Sequence, residues 1–280
     1  NAISAEVVRR GLGDFKPQNL SNTAWAFAKA GHLSTELFNT FSAEVVLRRM
    51  GDFSPQDLSN TAWAFATAGH LSTELLNAIS AEVVRRGLGD FKPQELSNTA
   101  WAFAVWNPPS ADKLFGTTSF TTRCAQLEKS FACLDLSQLH QWSLWREERG
   151  AQWPGLPKSL RQACRDAFTA VEGEPSQLQS DIIREIRSCG ARVEEEHRCE
   201  ASGYTIDALV TMNDGDRVQV AVEVDGPSHF VGRSQHRNGA TLLKHRQLRH
   251  FEWRLISVSY WDWDRDKRLP WLPCPTKSFY

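Results

Sequence analysis

The chain has 280 residues and a formal charge of -1 from 32 basic and 33 acidic side chains, enough length for one large or two modest domains. Near-neutrality excludes a global basic field, so a polyanion would have to be met by a local patch. Six cysteines with no C-x-x-C pairing and no regular spacing to histidine argue against a zinc site or disulfide framework and fit a reducing compartment, and no apolar run approaches the ~18 residues of a membrane span.

The first residue is Asn1, inside a repeat, so the chain reads as a fragment or processed form whose targeting peptide is not visible. LSNTAWAFAKAGHLSTEL begins at Leu20, LSNTAWAFATAGHLSTEL at Leu58 and LSNTAWAFAVW at Leu96, two steps of 38 residues. Repetition at that period predicts a helical solenoid. Pro17, Pro55 and Pro93 stand where a helix's first turn accepts proline, and Gly31 and Gly69 mark its end. Leu20, Ala24, Phe27 and Gly31 fall on one stripe. A second helix is expected from near Ser34 and Ser72, whose hydroxyls can cap it, through EVVLRR or EVVRRG.

Trp25, Trp63 and Trp101 share one repeat position. Packing between units is their expected role, with stacking on single-stranded bases the alternative. Asn22, Asn60 and Asn98 lie about 200° around the helix from the leucine stripe. Their amides can pair with base edges, or simply be solvated. Lys29, Thr67 and Val105 differ between otherwise near-identical copies, as a base-selecting or merely exposed position would.

Asn107-Pro108-Pro109-Ser110 predicts an irregular loop. A degenerate fourth unit is expected at LDLSQLHQWSLW, 134–145, with Leu134 and Leu139 standing for Phe15 and Leu20 but without the proline and the NTAW core. GLPKSLRQACRDAF, 155–168, reads as a connecting helix before the break at 173–175. The expected organisation is helical repeats over 1–106, a degenerate repeat and connector over 107–172, and an α/β domain over 173–280.

That last domain opens on a helix with capping-box spacing from Ser176 to Gln179 and a stop at Gly190. ARVEEEHRC, YTIDALVTM and RVQVAVEVD read as strands, the last two joined by a hairpin at 213–216. A helix at 239–251 and a strand at 253–263 complete a right-handed crossover. Within AVEVDGPSHF, 221–230, the valines alternate with Glu223 and Asp225, so both carboxylates leave one face roughly 6 to 7 Å apart. A core cannot absorb them unmatched. They must meet cations, a metal or water where Gly226-Pro227 turns the chain.

Between Gly226 and Trp261 the cations are Arg233, Arg237, Lys244, Arg246, Arg249 and Arg254, against the single acid Glu252. His245 with Arg249, and Arg246 with His250, are i,i+4 pairs on one helix, a basic side suited to a phosphate backbone. His229 can donate to a phosphate or hydrogen-bond beside its turn. Glu194, Glu195 and Glu196 read as a solvated acidic run. Trp253, Trp261 and Trp263 divide between core and a stacking surface.

The V-E-V-D-G-P-x-H-F run, the T-x-L-K-x-R-x-L helix and the I-S-V-x-Y-W-x-W strand, in that order, closely resemble the RAP domain, a C-terminal module of organellar RNA-binding proteins. The units over residues 2 to about 106 resemble the octotricopeptide class of RNA-binding repeats. The resemblance implies an N-terminal α-helical repeat solenoid followed by a restriction-endonuclease-like α/β RAP domain. It also implies RNA association in a mitochondrion or plastid, acting in the processing, stability or translation of transcripts. Partners would be single-stranded or ribosomal RNA and ribonucleoproteins, with no cofactor needed for binding. Asn22, Asn60, Asn98, His229, Arg233, Arg237, His245, Arg246 and Arg249 are the candidate contacts.

Restriction-type nucleases carry an acid on the second strand and another on the third, matched here by Asp207 and Glu223, which with Asp225 could hold Mg2+ that activates water. Their lysine, two positions after the second acid, is here Asp225. Lys244 could substitute if its helix turns it to the sheet, or could serve only as an ion-pair partner in a binding domain. A protein-interaction solenoid is the third reading, consistent with nine basic and ten acidic residues over 1–105.

Overall fold

The computed structural model describes residues 2–32, 34–171, 173–214, 216–232 and 234–266, with the backbone alone for 212–218 and 264–266. It divides into two compact units, residues 1–170 with 231–243, and residues 171–230 with 244–280.

The first unit contains α1 (Ala2–Arg10), α2 (Pro17–Lys29), α3 (Thr35–Leu47), α4 (Pro55–Thr67), α5 (Thr73–Arg86), α6 (Pro93–Trp106), α7 (Ala111–Phe115), α8 (Ser119–Gln126), α9 (Cys133–Glu148) and α10 (Lys158–Thr169). The proline starts and glycine stops act where the sequence places them. Pro17, Pro55 and Pro93 open α2, α4 and α6, and Gly31 and Gly69 adopt φ of 65° and 61° just past α2 and α4. Ser34 and Ser72 accept the backbone N–H groups of Leu37 and Leu75. Helices α2, α4, α6 and α9 pack successively side by side, with Leu20, Leu58, Leu96, Phe65 and Phe103 in one continuous core.

Two devices set the 38-residue period. In the first, Arg48 at the end of α3 reaches back to the preceding loop, donating to the carbonyls of Leu12 and Gly13 at 2.7 Å each and to that of Phe15. Arg86 repeats this at the end of α5, with the carbonyls of Met50, Gly51 and Phe53. Arg123 donates to the carbonyl of Phe91 at 3.1 Å. A planar five-donor fork can bridge several carbonyls left over by a turn, which lysine cannot do. The second device joins neighbouring first helices: Ser21 donates to Asp57, and Ser97 to Asp135, both at 2.9 Å.

The tryptophans form a ladder along the same helices. Trp25 and Trp63 lie 6.3 Å apart, Trp63 and Trp101 6.2 Å, at interplanar angles of 32° and 35°. Exposure falls along it from 40% at Trp25 to 6% at Trp101. Packing between repeats therefore accounts for these rings.

The fourth unit exists, but in a different register. Phe131, not Leu134, occupies the position of Phe15, Phe53 and Phe91 just before its helix, and Leu136, not Leu139, that of Leu20, Leu58 and Leu96. Leu134 is 69% exposed. The physical marker is Asp135, whose carboxylate accepts the Ala132 N–H at 3.0 Å as that of Glu95 accepts the Lys92 N–H at 2.8 Å. The short α7 and α8 occupy the sequence between α6 and α9, after Asn107 ends α6 in the left-handed conformation.

The second unit contains α11 (Gln177–Ser188), β1 (Arg192–Arg198), β2 (Thr205–Asp214), β3 (Asp216–Asp225), most of α12 (Gly239–His250), β4 (Leu255–Ser259) and α13 (Tyr260–Asp266). The sheet order is β1-β2-β3-β4, with the first two pairings antiparallel and β3 parallel to β4. Ala208, Val210, Val220, Val222 and Val224 pack against Ile182, Ile183 and Ile186 of α11. The last strand is shorter than its aromatic, period-two sequence predicts. It stops at Ser259, whose hydroxyl bonds the Asp262 carboxylate three residues on, and the remainder of YWDW enters α13 instead. Local side-chain bonding of this kind competes with the sheet ladder and starts helices.

Candidate functional site

Alternation in β3 sends the valines to the α11 side and Glu223 and Asp225 to the other face. Both carboxylates are fully buried. The register that pairs Ala208 with Val222 places Asp207 opposite Glu223 one step further on, and there the Asp207 carboxylate accepts the Val224 N–H at 2.6 Å. Three acids thus come together at the end of two neighbouring strands.

Cations answer them from outside the strands. Lys244 of α12 sets its Nζ 2.5 Å from Glu223 Oε2. His229, just past the Gly226-Pro227 turn, sets Nδ1 3.0 Å from Asp225 Oδ1. His245 brings Nε2 to 3.5 Å from the same oxygen, and Ser257 of β4 donates to Oδ2. The expectation that Lys244 faces the carboxylates is met because it lies one helical turn before Leu248, which is fully buried.

Titration follows from this geometry. Burial pushes the Glu223 carboxyl up to about 8; the Lys244 charge opposes that rise, and the neighbouring Asp207 and Asp225 add to it. Burial would likewise raise Asp225, but hydrogen bonds from His229 and His245 outweigh it and hold this carboxyl well below its usual range. Burial would lower Lys244, yet Glu223 and Asp207 keep its ammonium above the ordinary value. The cluster is a buried network in which Lys244 faces Glu223, while two imidazoles and a hydroxyl face Asp225, and burial remains the larger influence on the Glu223 carboxyl.

These side chains do not fit the divalent ion that Asp207, Glu223 and Asp225 were expected to share. Lys244 holds the cation position beside Glu223, Asp207 accepts a backbone N–H, and Asp225 is committed to two imidazoles and a hydroxyl. Among the described residues no group of three His, Cys, Asp or Glu side chains is arranged to hold a metal ion.

The expected basic side of α12 is split. His245 is 4% exposed and belongs to the buried cluster, whereas Arg249 and His250 are exposed and Arg246 is half-buried. The i,i+4 spacing of His245 and Arg249 suggested a shared face, but the acids of β3 draw the histidine inward. Arg254 adds an exposed guanidinium just before β4. Arg237 is half-buried and falls, with Arg233, in the segment grouped with the first unit; Arg233 lies outside the described residues. Trp253, Trp261 and Trp263 are all half-buried. The Trp253 indole donates to Cys199 at 3.2 Å, the Trp261 ring lies tilted against Phe230 with centroids 4.0 Å apart, and Trp263 packs on the valine core.

In the repeats, Asn22 is exposed, Asn60 half-buried and Asn98 buried, so the three asparagines are not equivalent. Sequence reasoning passed over Ser257 and the two repeat arginines. For Arg48 and Arg86 a signal was present, since they recur at the repeat period after Glu44 and Glu82; for Ser257 there was none, because its partner lies across a parallel strand pair.

A tandem helical repeat region and a mixed-sheet unit with a buried acid cluster define the class: an α-helical repeat protein with a C-terminal α/β module. Residues 222–267, which hold Glu223, Asp225, His229, Lys244 and His245, match the RAP domain family. The match does not extend to the repeats. The chain is also similar to a chloroplastic RAP domain-containing protein of Oryza sativa subsp. japonica, 26% identical over 137 residues, covering 46% of this chain and 20% of that relative. The chain thus matches about a fifth of the relative's length. No helix among the described residues is long and apolar enough to cross a membrane.

Proposed function

We propose that this chain is an organellar RNA-binding protein, acting in a plastid, whose RAP domain binds RNA and does not cleave it. The observation that carries the reading is Lys244 on Glu223. An ammonium held 2.5 Å from the carboxylate that a nuclease would use for its metal turns a reactive cluster into a structural one. Around it, Arg249, His250 and Arg254 remain exposed and available to phosphates. The plastid assignment is supported by the chloroplastic relative. Processing, stabilisation or translation of messenger or ribosomal RNA, with ribonucleoprotein partners, is the role this reading implies.

The test is retardation of labelled single-stranded RNA by the full chain over a salt series, with magnesium or a chelator. Binding that weakens with salt and leaves the RNA intact is expected. Magnesium-dependent cleavage abolished by Glu223→Gln would establish a ribonuclease instead. No retardation at any salt concentration would leave the repeats as a protein-interaction scaffold.

A further inference from the structure

Residues 231–243 lie inside the stretch that matches the RAP domain family, yet they group with the repeats. Glycine makes this possible. A Cβ on Gly232 would stand 2.5 Å from the carbonyl oxygen of Gly31, just past α2, and a Cβ on Gly69, just past α4, would stand 2.7 Å from the Arg237 carbonyl oxygen. Gly239 is the tightest: a Cβ there would lie 2.1 Å from the Ala66 carbonyl oxygen of α4 and 3.1 Å from Val105 Cγ1 of α6. The segment thus crosses the C-terminal ends of three successive first helices. Its own bonds hold its shape, with Val231 donating its N–H to the His236 carbonyl at 2.9 Å and Asn238 accepting the Thr241 N–H at 3.0 Å where α12 begins. Leu243, fully buried, ends it in the repeat core.

The variable repeat position meets this segment. Lys29 is exposed, Thr67 half-buried and Val105 buried, and Val105 is the copy whose methyl lies beneath Gly239. A base-selecting or merely exposed residue would not be enclosed in this way. The Ala66 carbonyl cannot retreat, because it accepts the Gly69 N–H at 3.0 Å. Backbone therefore lies directly on backbone, with no room for a side chain between. We infer that residues 231–243 are a docking strap of the repeat region, that the ends of α2, α4 and α6 form its seat, and that Val105 is fitted to the strap and not to a nucleobase. The partner this surface accepts is a segment of the same chain with glycine at the crossing points. The inference does not depend on RNA binding.

The experiment uses the full chain and two readouts, the melting midpoint of the helical circular dichroism signal and the rate of tryptic cleavage after Arg237. Gly239 lacks the positive φ of Gly31, Gly69 and Gly232, and it is the first residue of α12. Were the segment unseated, alanine there would favour the helix and raise the midpoint by about 1–4 °C. On a seated strap it overpacks, so Gly239→Ala is expected to lower the midpoint by about 2–12 °C and to speed cleavage after Arg237 about 5- to 150-fold. Gly89→Ala, where a Cβ meets nothing within 4 Å, should leave that cleavage unchanged. Val105→Ala should speed it, whereas Val83→Ala, also buried but in α5, should lower the midpoint without doing so. If Gly239→Ala fails to fold, the comparison of Val105→Ala with Val83→Ala carries the test. A Gly239→Ala chain with a raised midpoint and wild-type cleavage overturns the strap. Cleavage sped as much by Val83→Ala as by Val105→Ala overturns Val105 as part of its seat.

Discussion

The repeat unit and the sheet unit handle buried polarity in opposite ways. In the repeats it is distributed, each junction carrying its own bonds: Arg48 and Arg86 on turn carbonyls, Ser21 and Ser97 on the next helix's aspartate. In the sheet unit it is concentrated, with Glu223, Asp225, Lys244 and His245 in one network. A distributed arrangement tolerates the loss of one member because neighbours remain matched. A concentrated one does not, because removing a charge strands its partner in the core.

Substitutions can break this contrast. The largest effect is expected from Lys244→Met, which leaves Glu223 without its cation and, above about pH 8 where that carboxyl is ionised, should cost about 3–5 kcal/mol of stability, read from chemical denaturation. Adding Glu223→Gln to Lys244→Met should recover part of the loss. Next, Arg86→Ala should cost about 2–3 kcal/mol by unmatching buried carbonyls, whereas Arg85→Ala, whose side chain is 64% exposed, should cost below ~0.5 kcal/mol. A loss as large as that of Lys244→Met would erase the distinction between the units. Smaller still, Ser97→Ala should cost about 1 kcal/mol, measurable as a shift in the urea midpoint.

A pH series sharpens the same point. Glu223 has its folded value raised from 4.5 to about 8, so its contribution to stability is present below the unfolded value and is lost as pH rises toward 8. The difference in unfolding free energy between wild type and Glu223→Gln should therefore move against the wild type between about pH 4.5 and 8. Asp225 acts oppositely: its lowered value contributes stability above 3.8 that is lost on acidification. A pH-independent difference between the two chains would show that Glu223 is not held as described.

Much of the repeat region was legible because its determinants are local. Proline at N1, a serine cap and glycine in the left-handed region act within one turn, and a period of 38 residues repeats them. Where repetition decayed, legibility went with it. Without proline and tryptophan, LDLSQLHQWSLW was aligned by its apolar residues, which α-helical periodicity reproduces at several offsets. The register came instead from the Asp135 carboxylate on the Ala132 N–H.

In the candidate site, the pairing of Lys244 with Glu223 could be anticipated from strand alternation and helical spacing, but the burial of His245 could not. From the sequence, His245 and Arg249 are equivalent members of one basic stripe. In the fold, one reaches Asp225 and the other reaches solvent.

The amino-acid sequence by itself determined which elements form, which face of each is apolar, and that β3 must present two carboxylates needing partners. Periodicity and capping are short-range rules, so they can be read without knowing what lies opposite. Only the tertiary structure decided what those carboxylates meet, that Lys244 fills the place a metal would need, and that Asn98 and Gln138 are enclosed while Asn22 is exposed. Those outcomes depend on distances between residues far apart in the chain, and in a low-dielectric interior an ångström decides whether a charge is compensated or stranded.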